Sequence, residues 1–190
     1  MPFTSLLATV LLSVTTPAEF DLPCFYASRA EESGLERAEH CARQDPDRLV
    51  IASAVMADLA FDAHGLAPLA SAGGWRWVNR AGHSVPVLTY DNGADDFVEG
   101  LTRGPDAQGN IVFYDRNLDP VIRTPYRWAE PFAQGVTLVC ADCVPVPVAG
   151  GEHMAMVGKQ WAAIGRDGRL VTPWLASRGA VEEALGARRG

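Results

Sequence analysis

Three short stretches of this chain repeat one pattern: "FDAHGLA" at 61–67, "FVEGLT" at 97–102 and "FAQGVT" at 132–137, with Gly65, Gly100 and Gly135 at intervals of 35. Phe61, Phe97 and Phe132 stand just ahead of the three glycines. The likeness continues downstream, where "WVNR" at 77–80 falls in register with "FYDR" at 113–116, aligning Trp77 with Phe113, Val85 with Val121 and Tyr90 with Tyr126 at a spacing of 36. A third copy follows Gly135, is interrupted by "CADCVPVPVAGGEH" (140–153), and resumes through Trp161 and "RDGRLVTP". Recurrence on this scale marks units that cannot bury a hydrophobic face alone and must stack on their neighbours.

Each copy translates into the same physical form. A strand such as "GLAPLA" or "GVTLVC" leads to a second strand carrying an aromatic, then to a tight turn ("NRAG", "RNLD", "RDGR"), then to a third strand. Asn, Asp and Gly tolerate the positive φ that hairpin turns need. The expected fold is therefore predominantly all-β: an array of stacked, twisted β-hairpin repeats of about 35 residues over 60–175, its core built on Phe61, Gly65, Trp77, Phe97, Gly100, Phe113, Tyr126, Phe132, Gly135 and Trp161. Short helical segments are expected at both ends: "SRAEESGLERAEHC" in a cysteine-containing N-terminal cap over 19–59, and "RGAVEEALGARR" in a C-terminal tail over 176–190. Between them, "DPDRLVIASAVMADLAF" is expected to give a strand ending near Ala54 and a short second strand, although periodicity leaves helix open.

The start of the chain looks like an export leader. "LLATVLLSV" (6–14) is apolar but too short to span a bilayer, and the small residues before Glu19 suit cleavage after Ala18, giving a signal peptide over 1–18. No Lys or Arg precedes the apolar run, and Cys24 lacks the small residues of a lipoprotein box. Location is expected to be periplasmic or secreted, without stable membrane insertion after cleavage. A net charge of -7 provides no basic field for nucleic acid. Four cysteines, Cys24, Cys41, Cys140 and Cys143, allow three complete pairings. Disulfides are the expectation in an oxidising compartment, with the local pairs Cys24–Cys41 and Cys140–Cys143 preferred.

Chemistry-bearing residues are few. A redox C-x-x-C sits at a helix N-terminus, whereas Cys140 and Cys143 lie between strand-like segments. Zinc would take Cys140, Cys143 and His153, with Glu152, His40 or water as a fourth ligand. Asp91, Asp95, Asp96 and Glu99 form an acidic stretch that lacks the alternation of a calcium loop and suits a solvated turn. His64 and His83 fall in turns, Trp77 and Trp161 are expected as wedges between units, Trp75 shares the strand face of Trp77, Trp128 ahead of the "PF" turn is expected to be partly exposed, and any ligand surface is expected at these tryptophans, Trp174 included, and at the exposed hairpin edges. The common hydrolase, metalloprotease and nucleotide signatures are missing, so no enzyme activity and no cofactor are expected.

The order of aromatic strand, "DR" turn, "V-x-P" strand, Tyr and "A-x-P-F-x-x-G", seen in "VIRTPYRWAEPFAQGVTLV" and "QWAAIGRDGRLVTP", resembles the WG repeat family. "DNGADDFVEGL", "CADC" and "GGEH" are similar to segments of its exported bacterial members. The glycine after the family's Trp is replaced here by Arg76, Val78 and Ala162. The resemblance implies a β-hairpin repeat protein and carries no catalytic residues with it. The functional expectation is a non-catalytic exported binding or scaffold module for a protein or cell-envelope partner. Two alternatives are a metal-binding or thiol-active envelope protein centred on Cys140, Cys143 and His153, and a hydrolase using Asp95 and Asp96.

Overall fold

The computed structural model describes residues 19–30, 34–46, 48–151 and 154–187, so the expected leader, Glu152, His153 and the last arginines lie outside the described residues. The described chain is mostly β, arranged in several antiparallel sheets with two helices. It begins with β1 (Leu22–Tyr26), β2 (Glu36–Asp45) and β3 (Arg48–Ile51), passes through α1 (Ser53–Asp58), and continues as β4 (Leu66–Ser71), β5 (Gly74–Asn79) and β6 (Ser84–Pro86). These six strands share one antiparallel sheet in the order β3-β2-β1-β4-β5-β6. The N-terminal segment thus extends the edge of the sheet laid down after Gly65, and the Cys24–Cys41 disulfide staples β1 to β2.

Two local expectations are corrected here. The Ala- and Glu-rich stretch expected as a helix holds the ten-residue strand β2 from Glu36 onward. Helix propensity is worth well under 1 kcal/mol per residue, and β2 gains two ladders, to β1 and β3, together with burial of Cys41 and Ala42. The expected strand to Ala54 ends at Ile51, and α1 replaces the expected second strand, because Val55 and Leu59, four residues apart, bury together against the first sheet.

After a short hairpin of β7 (Thr89–Tyr90) and β8 (Gly93–Ala94), the strands β9 (Thr102–Pro105), β10 (Ile111–Tyr114) and β11 (Pro120–Arg123) form a second sheet in the order β11-β10-β9. The third sheet contains β12 (Trp128–Ala129) and β13 (Val136–Cys140). From it the chain leaves as a separate two-stranded sheet, β14 (Val144–Pro147) with β15 (Met154–Val157), and returns as β16 (Trp161–Gly165) beside β13. The segment "MAMV", grouped in the sequence with the resumed third copy, is β15 of this excursion. The expected C-terminal helix is α2 (Arg178–Ala187), docked on β16 through Val181.

The turns follow from side-chain chemistry. At Asp62, Asn79, Asp106 and Asp115, the Oδ1 accepts from the backbone N–H groups two and four residues on. The residue three positions on then takes positive φ, filled by Gly65, Gly82 and Gly109 and, in the fourth turn, by Leu118 at 66°. The shorter turns at Glu99-Gly100 and Gln134-Gly135 place two successive residues at positive φ, the two-residue geometry that matches strand twist.

The core comprises four clusters along the chain. The first lies under the N-terminal strands and α1. In the second, Leu66, Val85 and Val87 meet Val112, Tyr114 and Leu118, with Trp75, Trp77 and Phe97 packed against them. Phe113 and Ile122 then meet Phe132, Val139 and Ile164, with Tyr126 alongside, and beyond them Leu138 and Trp161 meet Val181. Successive sheets share side chains at each junction. At the first, a Cβ on Gly104 would sit 1.8 Å from the Pro86 carbonyl oxygen, so only glycine allows β9 to approach β6 this closely.

Candidate functional site

The excursion of β14 and β15 is built unlike the rest of the molecule. Pairing places Val144 opposite Val157, Pro145 opposite Met156, Val146 opposite Ala155 and Pro147 opposite Met154. Because side chains alternate along a strand, Val144, Val146, Ala155 and Val157 share one face while Pro145, Pro147, Met154 and Met156 share the other. Both faces are apolar. Val144, Met154 and Val157 are more than half exposed, at 57%, 55% and 52%, and Val146 and Val148 are exposed too. Neither strand carries a charged residue. A two-stranded hairpin is marginal in water by itself, so this arm depends on the way its root is held.

That root is a compact lock. The Cys140–Cys143 disulfide closes the step from β13 to β14. Between the two cysteines, Asp142 turns its carboxylate to the returning chain and accepts from the Lys159 N–H at 2.9 Å and the Gln160 N–H at 2.9 Å. The Ala141 N–H donates to the Gln160 carbonyl, and the Trp161 indole N–H donates to the Gly158 carbonyl. Gly158 lies flat against the bridge: an added Cβ would fall 2.7 Å and 2.8 Å from the two sulfurs and 2.6 Å from the Asp142 carboxylate. Both strands of the arm are thereby clamped where they leave the body.

The donor atoms of Cys140, Asp142 and Cys143 lie within 4.8 Å of one another. With both sulfurs in the bridge, the Asp142 carboxylate is the ligand this group offers in the oxidised state, and a zinc site would require reduction to thiolates. His40 is far off on β2, with its Nδ1 3.0 Å from the Phe20 carbonyl, while His64 and His83 are exposed in turns.

The acidic stretch does not form a calcium loop. Asp95 is buried, and its carboxylate pairs with the equally buried Arg103, whose Nε donates at 3.0 Å and whose Nη2 donates to the second oxygen. Arg103 also donates to the Ala129 carbonyl at 2.7 Å and lies over the Trp128 ring, while the Asp95 carbonyl accepts from Trp77 Nε1 and Thr102 Oγ1. One ion pair therefore ties together side chains and backbone from the first, second and third sheets, through Trp77 on β5, Arg103 on β9 and Ala129 on β12. Glu99 accepts from the Gln134 and Gly135 N–H groups and from Arg166, and the Arg166 hydrogen bond, helped by the Gly135 N–H, holds its carboxyl below the usual range. Asp95 and Glu99 are thus committed to contacts inside the fold.

A groove between α2 and β13 is lined by Glu130, Val136, Leu138, Arg178, Glu182 and Leu185. Its polar groups are already matched: Arg178 pairs with both oxygens of Glu130 and with Glu182, and the Glu130 hydrogen bond raises its pKa.

Sequence reasoning singled out Cys140 and Cys143 but missed Asp142, Gly158 and the apolar arm. The legible signal was "VPVPV", in which apolar residues occupy both phases of the strand alternation. The Asp95–Arg103 pair left no signal, since neither residue announces its partner. No family model, no curated protein and no solved structure matches this chain.

Proposed function

We propose that the chain is an exported, non-catalytic binding module: an array of repeated β-hairpin units of the WG type that presents the β14–β15 arm to a partner. The observation that carries this reading is the arm itself, apolar on both faces, with no charged residue in either strand, largely exposed and clamped at its root by Cys140–Cys143, Asp142 and Gly158. Contiguous exposed apolar surface of this kind marks an interaction site.

The repeat reading is supported by contacts that recur with the sequence. The Arg80 guanidinium lies 4.7 Å from the Phe61 ring, Arg116 lies 4.8 Å from Phe97, and Arg166 lies 5.1 Å from Phe132. Each pair joins the phenylalanine ahead of a repeated glycine to the arginine beyond the following aromatic strand. Export to the periplasm or beyond is supported by the two disulfides, and no described helix is long and apolar enough to cross a membrane. A non-catalytic role is supported by the groups whose pKa values are displaced. Tyr26, Arg76, Tyr114 and Arg178 are moved by burial or by partners that hold sheets together, and Glu99 by the Arg166 contact described above.

A photo-crosslinking residue at Val146 of the exported protein tests the arm. Discrete adducts are expected there and not at Leu170 on the body, which is somewhat more exposed. Equal yields at the two positions would contradict the reading. A second reading, a thiol or metal centre, draws on the proximity of Cys140, Asp142 and Cys143 and requires the bridge to be reduced.

A further inference from the structure

We propose that the arm pairs with the arm of a second copy of this chain, β15 against β15, to give a closed four-stranded sheet in the order β14-β15-β15-β14. This rests on the arm being the contact element and names its occupant. Pro145 and Pro147 make the two edges of the arm unlike. Proline has no N–H to give, so in the ladder between β14 and β15 the donors from β14 are Val144 and Val146, and both proline nitrogens face the opposite edge. That edge of β14 offers no N–H over Pro145–Pro147 and is closed to a further strand.

The other edge of the arm differs. β15 has β14 as its neighbour in a two-stranded sheet and no strand beyond it among the described residues. Its Ala155 and Val157 amides face β14, which turns the N–H and C=O of Met154 and Met156 outward. An edge with free donors and acceptors takes up another extended strand. Those free groups also disfavour burial in lipid, where unpaired backbone is costly.

Charge and symmetry identify the strand. Neither strand carries a charged side chain between Val144 and Pro147 or between Met154 and Val157, so along these four-residue edges a charged peptide meets no counter-charge. A neutral, apolar, extended strand fits, and β15 of a second copy has that chemistry. Antiparallel self-pairing centred on Ala155 sets Met154 opposite Met156 of the other copy, with the outward donors and acceptors of each meeting those of the other. The proline-blocked outer edges then stop growth at two copies, and the acidic bodies, each within a chain of net charge -7, stand apart at the ends of the arms.

The test is native mass spectrometry and sedimentation of the oxidised full chain across a ~100-fold concentration range, with hydrogen exchange at the Met154 and Met156 amides. A dimer is expected, with protection of those two amides rising with concentration. Met154→Pro copies the β14 pattern onto β15 and removes one outward donor per copy, so dimerisation is expected to weaken ~30-fold for the two hydrogen bonds lost. Met154→Ala, which keeps the donor, should weaken it less. A chain that stays monomeric throughout, a dimer unaffected by Met154→Pro, or protection that appears with lipid vesicles and not with concentration would each overturn the proposal. Val146 adducts to a different protein in the crosslinking experiment, found alongside a strictly monomeric chain, would overturn self-pairing while leaving the binding-module reading intact. Should Met154→Pro perturb the arm itself, the wild-type exchange data decide.

Discussion

Among the described ion pairs, that of Asp95 with Arg103 is the one with both side chains buried. Both residues are almost fully buried, and the arginine reaches on to the Ala129 carbonyl. Removing one partner leaves the other charged and desolvated, so Arg103→Met is expected to cost about 3–5 kcal/mol in chemical denaturation; a loss below about 1 kcal/mol would contradict the buried pairing. Leu118 makes a different case. It occupies a turn position with φ of 66°, where the other three turns of that kind carry glycine, yet its side chain is fully buried beside Val112 and Tyr114. Leu118→Ala should cost about 2–5 kcal/mol through the cavity. Leu118→Gly is expected to be no worse than alanine, reversing the usual deficit of about 0.5–1 kcal/mol, because glycine alone escapes the positive-φ penalty. A glycine variant clearly weaker than the alanine variant would count against this account.

Among the elements, the docking of α1 onto β1 carries a pH signature. The Tyr26 hydroxyl donates to Asp58 at 3.2 Å, and burial, followed by the Asp58 contact, pushes its pKa up to about 12. The native state therefore holds this proton more tightly than the unfolded chain, whose tyrosine titrates near ~10. Stability from the contact is full below about pH 10 and lost as pH rises towards 12. Alkaline unfolding of the wild type should show this fall, and Tyr26→Phe should flatten it; identical profiles would refute the linkage. These elements also show what the sequence could and could not convey. The hairpins at Asn79 and Asp115 were legible because a turn's side chain and its positive-φ position are close in sequence. Helix α2 was legible through its periodicity. Strand β2 was not, since its state is decided by β1 and β3 on either side and by the Cys24–Cys41 bridge, all of which override the local preference of an Ala- and Glu-rich run. Likewise α1 is fixed by the surface that Val55 and Leu59 cover.

At the scale of the whole molecule, the parts of the chain are joined twice over, by shared apolar clusters and by cross-segment contacts such as Glu99 with Gly135 and Arg166. The arm gathers exposed apolar side chains on both faces of one two-stranded sheet. The role proposed for it as a contact element requires the Cys140–Cys143 bridge to be closed, because that bridge sets the root from which both strands leave. The competing thiol or metal reading requires the same bridge to be open. Intact mass separates the two: the protein is expressed from Met1 in an exporting bacterium, and alkylating reagent is added before and after reduction, with native and denatured spectra compared. The account predicts a chain beginning at Glu19, free of metal, that takes up no reagent until reduction and then takes up four equivalents, one for each cysteine. Alkylation of Cys140 and Cys143 without reduction, or a metal retained in the native spectrum and lost on denaturation, would contradict it and make the arm's root a reactive centre.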